Sequence, residues 1–285
     1  MAVEAYLFMD DQFHSSNTTA EVDGYTGSNE NGWAGENVRE AEFGTGWKPA
    51  NDTSDHAIRL DFNNTTTLGA AGTTAYVAIA YDARLAEQTT IWLQYDSADS
   101  SGFAGATLAV AFTVDTTRPL CQWSSFTVPT PAKRYWRLME RNADRGGGTR
   151  TIPIFNWAMY SAAGVYRIGT DYATDTTGPG ALNQVHQIQA VMGATNVRHT
   201  NMIARPQQEF EITFRPASLA LWQDLRDAVY DLDGPKRAFY VRFAGLRNPV
   251  QEFFMVRMVN ERVSTFHKQA DQYDVTINLV TEVCF

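Results

Sequence analysis

The chain has 285 residues, of which 44% are hydrophobic and 12% aromatic, enough for packed cores and too apolar for global disorder. Charged residues are only 19%, while Thr, Asn, Ser and Gly are abundant, a balance that suits β structure with many turns. The formal charge of −9 is uneven: residues 1–42 hold nine acids against Arg39 alone, whereas residues 166–285 hold 12 bases and 13 acids. Without clustered Lys and Arg the surface is unsuited to binding nucleic acid. The acidic start reads as a solvated surface in preference to a calcium site.

Two cysteines, Cys121 and Cys284, are too few for a disulfide scaffold, and both are expected as reduced thiols, Cys121 buried beside Trp123. The opening MAVEAYLFMDDQF turns acidic by Asp10 and does not resemble a secretory signal. No segment approaches the ~20 apolar residues of a membrane helix. These features predict a chain made and folded in a cytoplasm, with no membrane insertion.

In chain order, long Asn/Thr/Gly/Ser loops are expected at 15–32 and 44–56, before a series of short strands. Strands are predicted at 76–80, 91–95, 107–114, 134–140 and 152–160, each rich in β-branched and aromatic residues, with Pro153 at a strand start or edge. No helical period interrupts them, so residues 1–165 are expected to form a jelly-roll β-sandwich. Residues 166–183, rich in Gly, Thr and Pro, read as a linker.

Residues 184–191 and 196–204 read as a long hairpin around Met192, Gly193 and Ala194. Phe210, Ile212 and Phe214 share one face of a strand at 209–214. Leu221, Trp222, Leu225, Ala228, Val229 and Leu232 then form one apolar stripe at helical period, with Ser218 as cap and Gly234-Pro235 as stop. Strands at 237–243, 252–259 and 273–280 complete an antiparallel β domain, 184–285, with one amphipathic helix against its sheet.

Chemistry-bearing motifs are sparse. The five histidines show no metal-ligand spacing; His186 and His199 could face each other across the hairpin, most simply as a surface pair. There is no Gly-x-Ser-x-Gly, no phosphate-binding glycine loop and no Cys-x-x-Cys, so no enzyme activity, cofactor or metal is expected. Gly146-Gly147-Gly148 reads as a turn. Trp33, in Gly-Trp-Ala-Gly, and Trp47, in Gly-Thr-Gly-Trp-Lys, are the candidates for stacking on a sugar; the simpler reading makes both core or loop-anchoring tryptophans.

Residues 76–99, Lys133-Arg134-Tyr135-Trp136-Arg137-Leu138 and Ile154-Phe155-Asn156-Trp157-Ala158 resemble discoidin-like (galactose-binding-like) jelly rolls of phage particle proteins. The order strand 209–214, helix 219–233, strand 237–243 and closing strands through Val283 resembles the ring-forming domain of phage distal tail proteins. That resemblance implies a structural subunit of a phage tail tip or baseplate, assembled in the host bacterial cytoplasm and carried on the virion. It implies a ring of six copies around the DNA channel, contact with other tail proteins and peripheral contact with a host glycan. The hairpin at Met192-Gly193-Ala194 would reach a neighbour, and Leu221, Trp222, Leu225 and Val229 would anchor the helix. In distal tail proteins the ring domain usually precedes the sugar-binding-like one, and here the order is reversed. A carbohydrate-binding module or adhesin without ring assembly is the alternative, and a glycan-degrading enzyme a more distant one.

Overall fold

The computed structural model describes residues 4–13, 21–27, 29–30, 32–39, 46–82, 87–114, 121–168, 183–185, 188–192, 198–202, 207–219, 222–223, 226–227, 237–244, 253–259, 264–269 and 272–281. The chain divides into two compact units: Tyr6–Tyr166, and a discontinuous one of Met1–Ala5 with Arg167–Phe285.

Ten strands lie in or border the first unit: β1 Glu4–Phe8, β2 Glu21–Thr26, β3 His56–Asp61, β4 Thr74–Tyr81, β5 Thr90–Asp96, β6 Ala106–Thr113, β7 Cys121–Thr127, β8 Tyr135–Glu140, β9 Ile154–Ser161 and β10 Val165–Ile168. Eight of them, β2 to β9, build an antiparallel sandwich, five strands in the order β2-β3-β8-β5-β6 and three in the order β7-β4-β9. The chain crosses repeatedly between the layers, as a jelly roll does. Alternation sets the inner faces: Ile58, Leu60, Leu93, Trp136 and Leu138 from the larger sheet meet Val77, Ile79, Tyr81, Trp157 and Met159 from the smaller. Trp136 sits at its centre, 5.2 Å from the Phe126 ring and 5.5 Å from Tyr95, with its indole N–H donated to the Lys133 carbonyl.

β4 is buried on both faces, which explains its nearly unbroken apolar run Val77-Ala78-Ile79-Ala80-Tyr81. Its outer side carries an aromatic cluster in which Phe8 lies 5.8 Å from Tyr76, 5.8 Å from Trp123 and 5.5 Å from Tyr160. Cys121 is half-buried, less enclosed than expected. β2 falls inside the stretch 15–32 expected as loop, and the unanticipated β3 and β7 flank the central strands of the two sheets.

The second unit adds β11 Asn183–Val185, β12 Ile188–Met192, β13 Arg198–Met202, β14 Gln207–Ser218, β15 Phe239–Ala244, β16 Phe253–Met258, β17 Ser264–Gln269 and β18 Gln272–Thr281. Its antiparallel sheet runs β15-β16-β18-β14-β11, with β17 also on β18. Ile277 and Leu279 are fully buried, as the alternation of 273–280 predicts. β14 runs to Ser218, four residues past the expected end, by a register shift between Phe214 and Ala217 that accommodates Pro216. Leu219, Trp222, Gln223, Arg226 and Asp227 are helical, in agreement with the predicted helix.

The expected division at 1–165, 166–183 and 184–285 differs in two respects. The first five residues belong to the second unit, because β1 continues the sheet beside β15. The jelly roll is thus inserted after the opening strand of the other unit. Strand β10 occupies the start of the expected linker, and residues 169–182 lie outside the described residues.

Candidate functional site at the loop end of the jelly roll

Antiparallel register brings the start of β3, the end of β8 and the start of β5 to one end of the sandwich: His56 pairs with Glu140, and Ile91 pairs with Glu140 from the other side. The end of β4 meets the start of β9 there too, with Tyr81 opposite Ile154. The described residues of 27–55, 82–89 and 141–153 that flank these strand ends therefore come together at that end.

Trp47 is fully buried in the core. Its backbone exchanges two 2.8 Å hydrogen bonds with Ile154, and its indole N–H donates to Asn29 Oδ1 at 2.8 Å. Gly46 permits this approach, since a Cβ there would lie 2.5 Å from the Ile154 carbonyl oxygen. Trp47 consequently offers no free ring face for a sugar and acts as the anchor of its loop.

Trp33 is only half-buried, its ring tilted against Phe155 at 6.2 Å. Its loop is pinned on both sides. Lys48 and Glu30 form an ion pair at 2.7 Å, and Asn51 Nδ2 donates to the same carboxylate at 3.3 Å. Asn37 Nδ2 donates to the carbonyls of Gly32 and Gly46. The half-buried Trp92 belongs to this end as well: its indole N–H donates to Asp144 at 2.6 Å and the Arg141 guanidinium covers its ring at 5.1 Å. Nothing in the composition singles Trp92 out. Its outward parity between the buried Ile91 and Leu93 is the signal that would have.

Beneath these loops lies a buried polar floor. Arg145, with no exposed surface, donates from Nε to Gln88 Oε1 at 3.1 Å and from Nη1 to the Asp52 carbonyl at 2.7 Å. His56 Nε2 lies 2.9 Å from Asp52 Oδ1, and Glu140 Oε2 accepts the Ile152 N–H at 3.2 Å. Burial pushes the Glu140 carboxyl up to about 8, against the pull of the Ile152 N–H and the Arg145 charge. Asp52 is held below the usual carboxylate range by the Ser54 N–H and His56. Thr151 ties the loops together, its hydroxyl donating to the Pro49 carbonyl at 2.8 Å and its N–H to Asn51 Oδ1 at 3.0 Å. The floor fixes three loops to one another, so whatever they present outward is preorganised. Among the described residues no group of His, Cys, Asp or Glu is arranged to hold a metal ion.

Away from this end, Met192 ends β12, while Gly193 and Ala194 lie outside the described residues. Trp222 is half-buried under the Arg226 guanidinium at 5.1 Å; Leu221, Leu225 and Val229 lie outside the described residues. His199 pairs with Val191 in the β12–β13 hairpin, and His186 lies outside the described residues. No helix of the described residues is long and apolar enough to cross a membrane.

No known protein-family model matches the chain, and no curated protein matches it. Among solved structures it is similar to chitosan-binding module 1 of a chitosanase/glucanase from Paenibacillus sp. IK-5, at 16% identity and TM-score 0.38, over 53% of this chain and 98% of the module. It is also similar to chitosan-binding module 2 of the same enzyme, solved in complex with chitotriose, at 14% identity and TM-score 0.38, over 51% of this chain and 97% of that one.

Proposed function

We propose that the chain is a non-catalytic binding and assembly protein whose jelly roll recognises a carbohydrate at its loop end. The observation that carries this reading is Trp33, an indole left partly uncovered in a loop held by the Glu30–Lys48 ion pair and by Asn37 and Asn51. A ring face gives apolar contact to the C–H side of a sugar, and adjacent amide and charged groups bond its hydroxyls. Rigid loops keep the ordering cost of binding low. The test is a glycan-array screen of the full chain followed by calorimetry on Trp33→Ala. A ligand whose affinity falls at least about tenfold on loss of the ring supports the site; equal binding by the variant removes it.

A second reading adds assembly of the other unit into a ring, as in a phage tail connector. What favours it is the hairpin β12–β13, which pairs Ile188 with Met202 through Met192 with Arg198 and joins no other strand among the described residues. A two-stranded ribbon alone is marginally stable in water, so a neighbouring subunit is its natural support. In that setting the jelly rolls would be displayed in several copies, and weak glycan contacts would combine as avidity. Mass measurement of the full chain, alone and with tail-tube proteins, tests it. A protein that stays monomeric and joins no tail particle leaves the free binding module as the account.

A further inference from the structure

On the five-stranded sheet, register sets Arg59 of β3 directly opposite Arg137 of β8, with Gln94 of β5 on the other side of Arg137. Their strand neighbours Ile58, Leu60, Trp136 and Leu138 turn into the core, so both arginines stand on the outer face. Side chains so placed lie about 5 Å apart at Cβ, where like charges repel. The chain has 32 acids against 23 bases, and Lys48, Arg134 and Arg226 each sit against a carboxylate. Among the described residues Arg59 and Arg137 do not. What holds them is neutral: Arg59 Nη1 donates to the Ser101 carbonyl at 3.0 Å, Arg137 Nε donates to Gln94 Oε1 at 2.7 Å, and the Arg137 guanidinium lies 4.9 Å from the Phe103 ring centre. Burial holds Arg137 below the usual guanidinium range and the Arg59 charge adds to this, while Asp55 and Asp96 pull the other way. Those two carboxylates are engaged elsewhere, Asp55 by the Asn142 N–H at 2.7 Å and Asp96 by the Ser100 hydroxyl at 2.6 Å. The pair is fixed without being neutralised.

From this arrangement we propose that Arg59 and Arg137 form a binding site for an oxyanion, a carboxylate or phosphate group held between the two guanidinium groups. A guanidinium presents N–H donors in a planar fork that matches such a group. Nη2 of Arg59 and both Nη atoms of Arg137 make no bond among the described residues and are left for the ligand. An anion placed between two cations replaces their repulsion with two attractions. Side chains already held by neutral partners lose little freedom when it binds. The pair lies three residues along β3 from His56, about 10 Å from the loop end, so the inference is independent of the glycan site.

The test is an NMR titration of the full chain that follows the Nε–H signals of Arg59 and Arg137, the first buried and the second hydrogen-bonded. Sodium phosphate and sodium glucuronate are added at constant ionic strength against sodium chloride, with glucose as the neutral control. Phosphate should move both signals saturably, and chloride and glucose should not. Movement by glucuronate as well assigns the site to an acidic sugar, and movement by phosphate alone assigns it to a free inorganic anion. Arg59→Gln and Arg137→Gln should each weaken binding by about tenfold or more. The bound anion should raise the melting temperature of the wild-type chain and leave that of either variant unchanged, a readout that arginines serving only to fasten the 97–105 loop would not give. No saturable movement with either anion, equal movement with chloride, or unchanged binding by both variants would each overturn the proposal.

Discussion

His56 and Glu140 stand directly opposite each other on β3 and β8, both without exposed surface, yet His56 Nδ1 and Glu140 Oε1 each lack a hydrogen-bond partner. Backbone pairing alone holds them together, and each instead fastens a loop: His56 through Asp52, Glu140 through the Ile152 N–H. Gly27 belongs to the same arrangement, its φ of +83° and missing Cβ leaving room for the imidazole.

The raised pKa of Glu140 has a definite consequence for stability. Its folded value of about 8 lies above the ordinary 4.5, so between those limits the folded chain holds a proton that the unfolded chain has released. The contribution of this group is therefore full below about pH 4.5 and declines as pH rises toward 8. Glu140→Gln should keep the fold and remove that slope. Thermal melts of both proteins at pH 5, 6.5 and 8 check this, and parallel pH profiles would show that Glu140 is ionised in the fold.

Asp61 works at the opposite end of the pH scale. Burial raises its pKa, but the bonds from Arg134 (Nη2 to Oδ2, 2.6 Å) and the Asn63 N–H outweigh burial, leaving the carboxyl below its usual range. Its stabilisation is thus present above pH 3.8 and lost as pH falls through the depressed folded value. Asp61→Asn should cost about 1–3 kcal/mol near neutral pH and almost nothing in strong acid. Chemical denaturation at pH 7 and pH 2.5 distinguishes this from a pH-independent packing loss.

The two loop tryptophans should separate cleanly. Trp47→Ala opens a cavity in the core and should cost about 3–5 kcal/mol. Trp33→Ala, at a half-buried ring, should cost about 1 kcal/mol while abolishing glycan binding. Urea titrations measure both, and similar losses at the two positions would show that Trp33 also serves the core.

The inserted topology predicts how the chain can be divided. A fragment of Tyr6–Tyr166 should melt cooperatively as the jelly roll, since its two sheets, β2-β3-β8-β5-β6 and β7-β4-β9, lie wholly within it. A fragment starting at Arg167 lacks the Met1–Ala5 segment and should melt lower than one in which that segment is restored through a flexible linker. Identical melting temperatures would show that the opening strand contributes nothing to the second unit.

Local pattern was enough for much of the fold. The strand at 76–80 was legible as a short apolar run and those at 91–95 and 134–140 by their β-branched and aromatic residues, while of the helical stripe only Trp222 falls among the described residues. β2 escaped because Glu21, Asp23 and Gly24 give an edge strand the composition of a loop. The insertion escaped for a different reason: which sheet Met1–Ala5 joins depends on pairing with β15, more than 200 residues away in sequence, and no local pattern encodes a partner at that distance. Glycine-flanked tryptophans in polar loops marked Trp33 and Trp47 alike. Only the tertiary structure decided between them, because burial depends on what packs above a ring: Ile154 and Asn29 close over Trp47, while Phe155 supports Trp33 and leaves it partly open. The polar floor of His56, Gln88, Glu140 and Arg145 was likewise illegible, since these four residues meet only when three loops converge on one end of the sandwich.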